Sequence, residues 1–192
     1  MGALGVVEFV TLDGVFQGFH GPDERDGFRH SGWGHPYADE TAYKAGIEAQ
    51  PAASAYLFGR RTYDELSQFW PHQPDSNPMA AHLNATPKYV ATRTLTEFKW
   101  QNTQRLDGDL GPAVERLKSE QPGGIAVLGS GSLVAQLAEL DLVDSYELFV
   151  HPLVLGSGRQ LFPRLDQPAR LRLLRATPTT TGVLMISYEV ER

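Results

Sequence analysis

The sequence predicts an α/β protein whose central sheet is mostly parallel and ends in antiparallel strands. Two observations predict this class. Short apolar stretches alternate with segments of helical spacing through most of the chain, which is typical of parallel strands joined by helices. After residue 145, predicted strands follow one another with only short links, which favours antiparallel pairing. The predicted order is β-α-β-α-β-β-α-β-α-β-β-β, in a single domain over residues 1–192.

The first predicted strand, Leu4–Leu12, is apolar and ends at the turn signal Asp13-Gly14. We expect the Glu8 side chain to face solvent or to be paired, without a chemical role. The long stretch Val15–Pro36 is rich in glycine and aromatic residues, which predicts a loop folded over an apolar surface, with a plain surface insertion as the alternative. Its histidines and acids match no metal motif, so we expect no metal at His20, His30, His35, Asp23 and Glu24.

A helix is predicted over Ala38–Ala49, with Asp39 and Glu40 in its first turn. Acidic residues there are favoured by the helix dipole, so simple stabilisation of the helix is one interpretation. The other is that one carboxylate points into a cleft and holds an N–H or amino group of a substrate. The residues alone leave both interpretations open.

The next predicted strand, Ala55–Phe58, leads through a glycine and two arginines into a helix that ends near Phe69. A helix start next to arginine favours an anion, because the guanidinium offers paired donors to phosphate. The candidate anion-binding residues here are Gly59, Arg60, Arg61 and Thr62.

Further elements are predicted between this helix and the middle of the chain. Strand Lys88–Thr92 ends beside Arg93, and this pair suits a monoester phosphate such as the 2′-phosphate of NADP, although such residues are also common on surfaces. The remaining elements are a short helix at Met79–Leu83, a short edge strand at Phe98–Asn102, and a helix at Leu110–Glu120.

The strongest candidate site follows the predicted buried strand Ile125–Leu128. The turn Gly129-Ser130-Gly131 leads into a helix for which Ser132 is the expected N-cap, with Leu133 beginning its apolar face. Glycine lets a ligand approach the backbone, and the helix start favours negative charge. This pattern predicts a phosphate or pyrophosphate site, with an ordinary turn as the alternative.

The pentapeptide Val-Leu-Gly-Ser-Gly occurs at Val127–Gly131 and again at Val154–Gly158. Only the first copy leads into a helical pattern, because Pro163 soon follows the second, which we therefore expect to be a loop. The first copy is not a full dinucleotide fingerprint, since Val134 stands where a third glycine is expected. The turns after the second strand and after Ile125–Leu128 should nevertheless share one edge of the sheet, where open α/β sheets bind ligands.

The chain ends in three predicted strands, at Ser145–Val150, Leu171–Leu174 and Val183–Val190, with a turn around Thr179–Gly182. Tyr146, Leu148 and Val150 should share one face of the first of these. The nearby arginines are interpreted mostly as a solvated face; they are Arg159, Arg164, Arg170, Arg172 and Arg175.

Composition excludes several classes of function. The chain has 192 residues and a formal net charge of −6, which argues against general nucleic-acid binding. It has no cysteine, so thiolate metal sites and cysteine nucleophiles are excluded. No apolar run reaches the length of about 18 residues that a membrane helix needs. We therefore expect a cytoplasmic protein that binds a small molecule, with neither nucleic acid nor membrane as a partner.

Taken together and in order, six motifs resemble the dihydrofolate-reductase-like fold, and specifically the RibD carboxy-terminal domain family. They extend over nearly the whole chain. They are Thr11–Gly14, Phe58–Tyr63, Trp70-Pro71, Thr92-Arg93, Gly129–Leu133, and Pro152–Gly158 followed by Leu161-Phe162. The resemblance implies a three-layer fold with helices on both faces of the sheet. A homodimer is common in this family.

The resemblance also implies NADPH as the hydride donor. Phosphates of the cofactor would be held by Gly59, Arg60, Arg61 and Thr62, the 2′-phosphate by Thr92 and Arg93, and the pyrophosphate by Gly129, Ser130, Gly131, Ser132 and Leu133. Dihydrofolate reductases have two adjacent glycines joined by a cis peptide at this turn, whereas here Ser130 replaces the second glycine. Asp39, with Glu40 as its neighbour, falls at the position of the pterin-binding carboxylate.

The family implies a reductase but leaves the substrate open. The first hypothesis is a reductase of the riboflavin-biosynthesis type, acting on an aminouracil that carries a ribosyl or ribityl phosphate. A dihydrofolate or pterin reductase is an alternative, although Ala85-Thr86-Pro87 stands where the folate-binding arginine is expected. A non-catalytic nucleotide-binding module of the same fold is another alternative.

Overall fold

A computed structural model describes residues 1–21, 27–39, 53–162 and 167–192. Within these residues eight strands form one sheet in the order β4-β3-β2-β5-β1-β6-β8-β7. The strands are β1 Leu4–Thr11, β2 Ala55–Gly59, β3 Lys88–Ala91, β4 Thr103–Arg105, β5 Ile125–Leu128, β6 Ser145–His151, β7 Arg170–Pro178 and β8 Leu184–Glu191. The α-helices are α1 Arg60–Phe69, α2 Pro78–Ala85, α3 Leu110–Glu120 and α4 Gly131–Glu139.

The sheet changes from parallel to antiparallel pairing at β6. Strand β1 pairs in parallel with β5 and β6, and β2 pairs in parallel with β3 and β5. Strand β8 runs antiparallel to both β6 and β7. The predicted fold class, with its antiparallel carboxyl end, is therefore confirmed.

Helices cover both faces of the sheet because alternate residues of each strand point to opposite sides. On one face α3 and α4 pack on β1 and β5, through Val114, Leu117, Leu133 and Leu137 against Leu4, Val6, Ile125 and Val127. On the other face α1 and α2 pack on β2 and β3, through Tyr63 and Leu83 against Tyr56, Phe58 and Val90. Among the described residues, no helix has the length and apolar character needed to cross a membrane.

The predicted edge strand at Phe98–Asn102 is wrong, because the edge strand is Thr103–Arg105 instead. Side-chain contacts hold the predicted segment in an irregular course. The Trp100 indole N–H donates to Asn84 Oδ1 at 2.7 Å, and the Trp100 amide donates to the Tyr63 hydroxyl at 3.1 Å. These contacts join residues far apart in sequence, so local alternation does not reveal them.

The helix predicted over Ala38–Ala49 lies outside the described residues from position 40 onward. Ala38 and Asp39 themselves are not helical; they follow the short 3-10 helix His35–Tyr37.

Lys88 is fully buried at the start of β3. Its ammonium donates to the carbonyl oxygens of Leu83 at 2.6 Å and Thr86 at 2.8 Å, at the end of α2. It also lies 4.7 Å from the centre of the Trp100 ring. Burial lowers the pKa of this lysine to about 8. Lys88 therefore satisfies carbonyl groups that the end of a helix leaves without partners.

Replacing Lys88 with methionine should reduce the free energy of unfolding by about 2–4 kcal/mol, because it leaves at least two buried carbonyl groups without a donor. Urea unfolding of both proteins measures the difference. Lys99 is exposed and provides the matched control, for which Lys99→Met should change stability by less than about 0.5 kcal/mol. Equal effects of the two substitutions would contradict the role given to Lys88.

Candidate functional site

The turns after β2 and β5 lie side by side at one edge of the sheet. The two strands are parallel neighbours, with Ala55 opposite Ile125, so α1 and α4 start at the same edge. The Gly59 amide donates a hydrogen bond to Ser130 Oγ at 2.9 Å. A Cβ on Gly129 would lie 3.4 Å from the Thr62 methyl group. The predicted common edge is therefore confirmed.

The turn between β5 and α4 contains two consecutive residues in the left-handed conformation, Gly129 with φ +58° and Ser130 with φ +67°. The Ser130 carbonyl accepts the amides of Leu133 at 2.6 Å and Val134 at 3.0 Å, so the helix begins at Gly131. The expectation that Ser132 caps this helix is wrong, because Ser130 is the N-cap. The Ser130 hydroxyl bonds to Gly59 instead of to its own helix. The described peptide bonds are all trans.

The second Val-Leu-Gly-Ser-Gly segment is a loop, as predicted, but it reaches the first copy. The Arg159 guanidinium, just after this loop, donates to Ser132 Oγ at 3.4 Å. It also lies 5.5 Å from the centre of the Phe16 ring. That ring covers Gly131 so closely that a Cβ there would come within 2.5 Å of it. Arg159 therefore places a positive charge beside the start of α4.

The sequence alone predicts a solvated face for most of the carboxyl-terminal arginines, a group that includes Arg159, and gives Phe16 no role in binding. The repeated pentapeptide was the available signal, because it marked a second loop of the same type one residue before this arginine. Only the fold shows that the two copies approach each other.

Asp13 holds the second loop in place. Its carboxylate accepts the amides of Gly156 at 2.8 Å and Leu155 at 3.3 Å. It also accepts the Thr11 hydroxyl at 2.5 Å, and this bond contributes most to lowering the pKa of Asp13, with the Gly156 and Leu155 amides adding to the effect. The motif Thr11–Gly14 thus anchors the loop that presents Arg159.

The third predicted phosphate site lies at the end of β3. Thr92 Oγ accepts the amides of Thr94 at 3.3 Å and Leu95 at 3.2 Å, which closes a tight turn. Arg60, in the first turn of α1, donates to the Thr94 hydroxyl at 2.5 Å. Arg93 on this turn and Arg61 on α1 are both exposed. Arg60 therefore connects the helix start with the predicted 2′-phosphate turn.

An aromatic cluster lies on the face of β1 and β6 that points away from α3 and α4. Phe9 is stacked between Phe19, at 4.2 Å between ring centres, and Phe149, at 4.7 Å. Trp33 and Tyr37 meet the His151 ring edge to face at 5.0 and 5.4 Å. The described parts of the segment 15–36 thus fold over an apolar surface, as their aromatic residues predict.

His151 is buried at the end of β6 within this cluster. Its Nδ1 lies 2.9 Å from the Phe149 carbonyl oxygen and 3.2 Å from that of Val10. Burial lowers the pKa of His151, and the two backbone hydrogen bonds oppose this effect. An Nδ1–H that donates to these carbonyls leaves Nε2 as the acceptor of a neutral ring.

Asp39 lies close to the aromatic cluster, beside the turn between β7 and β8. Its Oδ2 accepts the Thr180 amide at 2.8 Å and the Thr180 hydroxyl at 2.5 Å. The Thr181 hydroxyl donates to the Tyr37 carbonyl at 3.1 Å, which holds the two segments together. Glu40 lies outside the described residues. The role of Asp39 toward a substrate stays a prediction.

The chain is similar to known proteins and to solved structures. The uncharacterized Bacillus subtilis protein YyaP is 33% identical over 135 residues, which are 69% of this chain and 71% of YyaP. A Thermotoga maritima diaminohydroxyphosphoribosylaminopyrimidine deaminase/5-amino-6-(5-phosphoribosylamino)uracil reductase superposes with a TM-score of 0.63 and 15% identity, over 99% of this chain and 57% of that one.

Dihydrofolate reductase from Enterococcus faecalis, solved in complex with NADP(H), superposes with a TM-score of 0.63 and 14% identity, over 99% of this chain and 97% of that one. At this identity the two structures show a shared fold alone. The sequence profile of the RibD C-terminal domain matches residues 4–185. With the fold and the motifs described above, this match shows that the chain belongs to the RibD C-terminal domain family.

Proposed function

We propose that this protein is an NADPH-dependent oxidoreductase of the riboflavin-biosynthesis reductase type, with a small heterocyclic or carbonyl compound as its substrate. The observation that carries the proposal is the hydrogen bond between Gly59 and Ser130, which sets two helix starts side by side. Backbone amides at helix starts bind anions, and the helix dipole favours negative charge there. Two such starts suit a ligand with several phosphate groups.

The residues around these helix starts fit such a cofactor. Arg159 supplies charge next to Ser132, where the proposal places the pyrophosphate. Arg60 supplies positive charge next to the turn at Thr94, where Thr92 and Arg93 would hold the 2′-phosphate. The glycines at 129 and 131 let phosphate oxygens approach the backbone. When bound, NADPH supplies a hydride to the substrate.

The aromatic cluster is the proposed substrate side, because flat rings favour stacking with a planar heterocycle. Asp39 is the proposed group that orients the substrate and assists proton delivery. Family membership and the Thermotoga reductase support an aminouracil ribosyl or ribityl phosphate as the first candidate. A folate is less favoured, since Ala85-Thr86-Pro87 stands where the folate-binding arginine is expected. Thr86 in this segment is buried and donates to the His82 carbonyl.

A non-catalytic nucleotide-binding module is the second candidate. The observation in its favour is that the Asp39 carboxylate already accepts two hydrogen bonds from Thr180. NADPH oxidation with any candidate substrate separates the two.

The proposed cytoplasmic location and homodimer stay predictions. Leu171, Leu173 and Leu174 are exposed on the edge strand β7, where a second copy would pair.

Titration of the protein with NADPH and NADH, followed by nicotinamide fluorescence, tests the cofactor. We expect micromolar binding of NADPH and weaker binding of NADH. Arg93→Ala should weaken NADPH binding about tenfold, the loss of one charge-assisted contact to phosphate, and leave NADH binding unchanged. Lys99→Ala, which removes an exposed cation nearby in the sequence, serves as the control. Equal affinity for both nucleotides in all three proteins would contradict the proposed 2′-phosphate site.

Asp39→Asn tests the substrate side once a substrate is found. Turnover should fall at least about a hundredfold, a typical contribution of a positioned acid or base, while the affinity for NADPH stays the same. Steady-state kinetics and the fluorescence titration give the two values. Equal losses in turnover and in NADPH affinity would exclude the proposed role. Thr180→Val removes only the hydroxyl donor to Asp39. The change in turnover that it causes shows how much the hydrogen bond from the Thr180 hydroxyl contributes to the role of Asp39.

A further inference from the structure

Glu8 lies near the middle of β1, in the centre of the sheet. It is 4% exposed, so the expectation of a solvent-facing or paired side chain is wrong. Among the described residues Oε2 has no hydrogen-bond partner, and Oε1 accepts only the Phe9 amide next to it, at 3.2 Å. An unpaired charge is costly to bury, so such a carboxyl needs a specific explanation.

The Glu8 carboxyl lies beneath the proposed phosphate-binding turn. A Cβ on Gly129 would lie 4.0 Å from Glu8 Oε1 and 3.9 Å from the Thr62 hydroxyl oxygen. The absent side chain of this glycine therefore leaves a gap of about methyl size, bordered by two polar oxygen atoms. One belongs to the start of α1, and the other comes from the centre of the sheet.

The surroundings of Glu8 favour the neutral carboxyl. Gly129 in the turn after β5 lies beside it, and Thr62 of α1 borders the same glycine; Leu148 is its partner on β6, and Val6 and Val10 flank it on β1. None of these side chains ionises. Burial raises the pKa of Glu8 to about 8, and only the Phe9 amide opposes this shift. At neutral pH the side chain is thus an acid with one O–H to donate.

We propose that Glu8 is a binding residue of the phosphate site, where its neutral carboxyl donates a hydrogen bond to a phosphate oxygen held at the Gly129–Leu133 turn. This inference extends the proposed function and rests on its anion site. A carboxylate in the same place would repel the phosphate, so the ligand binds only the protonated form. Binding and protonation of Glu8 are therefore linked.

The sign of the linkage follows from these charges. Above about pH 8 the free protein loses the Glu8 proton, and it must take a proton up again when the ligand binds. The apparent Kd should rise about tenfold between about pH 7 and about pH 9. Glutamine keeps the shape and can donate an N–H but does not ionise, so Glu8→Gln should bind with nearly the same Kd at both pH values.

Isothermal titration calorimetry of the full chain tests this with two probes, NADPH and inorganic pyrophosphate. Each titration is run at both pH values in two buffers of different ionisation enthalpy, which counts the protons taken up. Near pH 9, wild type should take up about one proton more per ligand than Glu8→Gln does, and this difference cancels any change in the protonation of the probe itself. Glu147→Gln is the matched control, since Glu147 lies on the next strand on the opposite face and bonds to Ser187 and Arg175. It should behave like wild type.

Equal proton uptake in wild type and Glu8→Gln, or none in wild type, would overturn the proposal for Glu8. If Glu8→Gln does not fold, the absence of proton uptake by wild type is enough by itself to overturn the proposal. Pyrophosphate binding with Glu8-dependent uptake, but no binding of NADPH, supports the role of Glu8 and overturns the proposed cofactor. Binding of NADPH without Glu8-dependent uptake leaves the cofactor supported and overturns the inference. Binding of neither probe overturns both.

Discussion

The hydrogen bond from the Gly59 amide to the Ser130 hydroxyl is the contact on which the candidate site depends. It joins two strand-to-helix turns that are 71 residues apart in sequence. To make this bond, Ser130 gives up the side-chain capping of its own helix and adopts a left-handed conformation. The helix starts of α1 and α4 are thereby fixed side by side, and both direct their positive ends to one edge of the sheet.

Strand β1 connects this edge to the aromatic face, because its alternating side chains point to opposite sides. Glu8 lies under the turn that begins at Gly129, whereas the next residue, Phe9, is the centre of the aromatic stack. The end of the same strand carries Thr11, which bonds to Asp13, the anchor of the loop with Arg159. One central strand thus positions groups for the proposed cofactor side and the proposed substrate side.

The regular elements were predictable because their signals are local. Helix Leu110–Glu120 has the predicted bounds, and strand Ile125–Leu128 is where its apolar run and flanking glycines place it. The shared edge was also predictable, since parallel strands that precede helices end on the same side. These inferences use only periodicity and turn residues, which the sequence displays directly.

The missed features depend on contacts between distant segments. The irregular course of Phe98–Asn102 comes from the bonds of Trp100 to Asn84 and Tyr63. Arg159 belongs to the site only because Asp13 folds its loop back. The sequence of an eight-residue strand does not show whether a glutamate within it is buried or exposed. The burial of Glu8 could therefore be recognised only from its neighbours in the folded structure.

A crystal structure of the protein with bound NADPH tests the central claim most directly. The account predicts the pyrophosphate at the first amides of α4, beside Arg159 and above Glu8, and the 2′-phosphate at Thr92 and Arg93. A cofactor bound elsewhere on the same fold, or phosphates turned away from the Gly129–Leu133 turn, would contradict it.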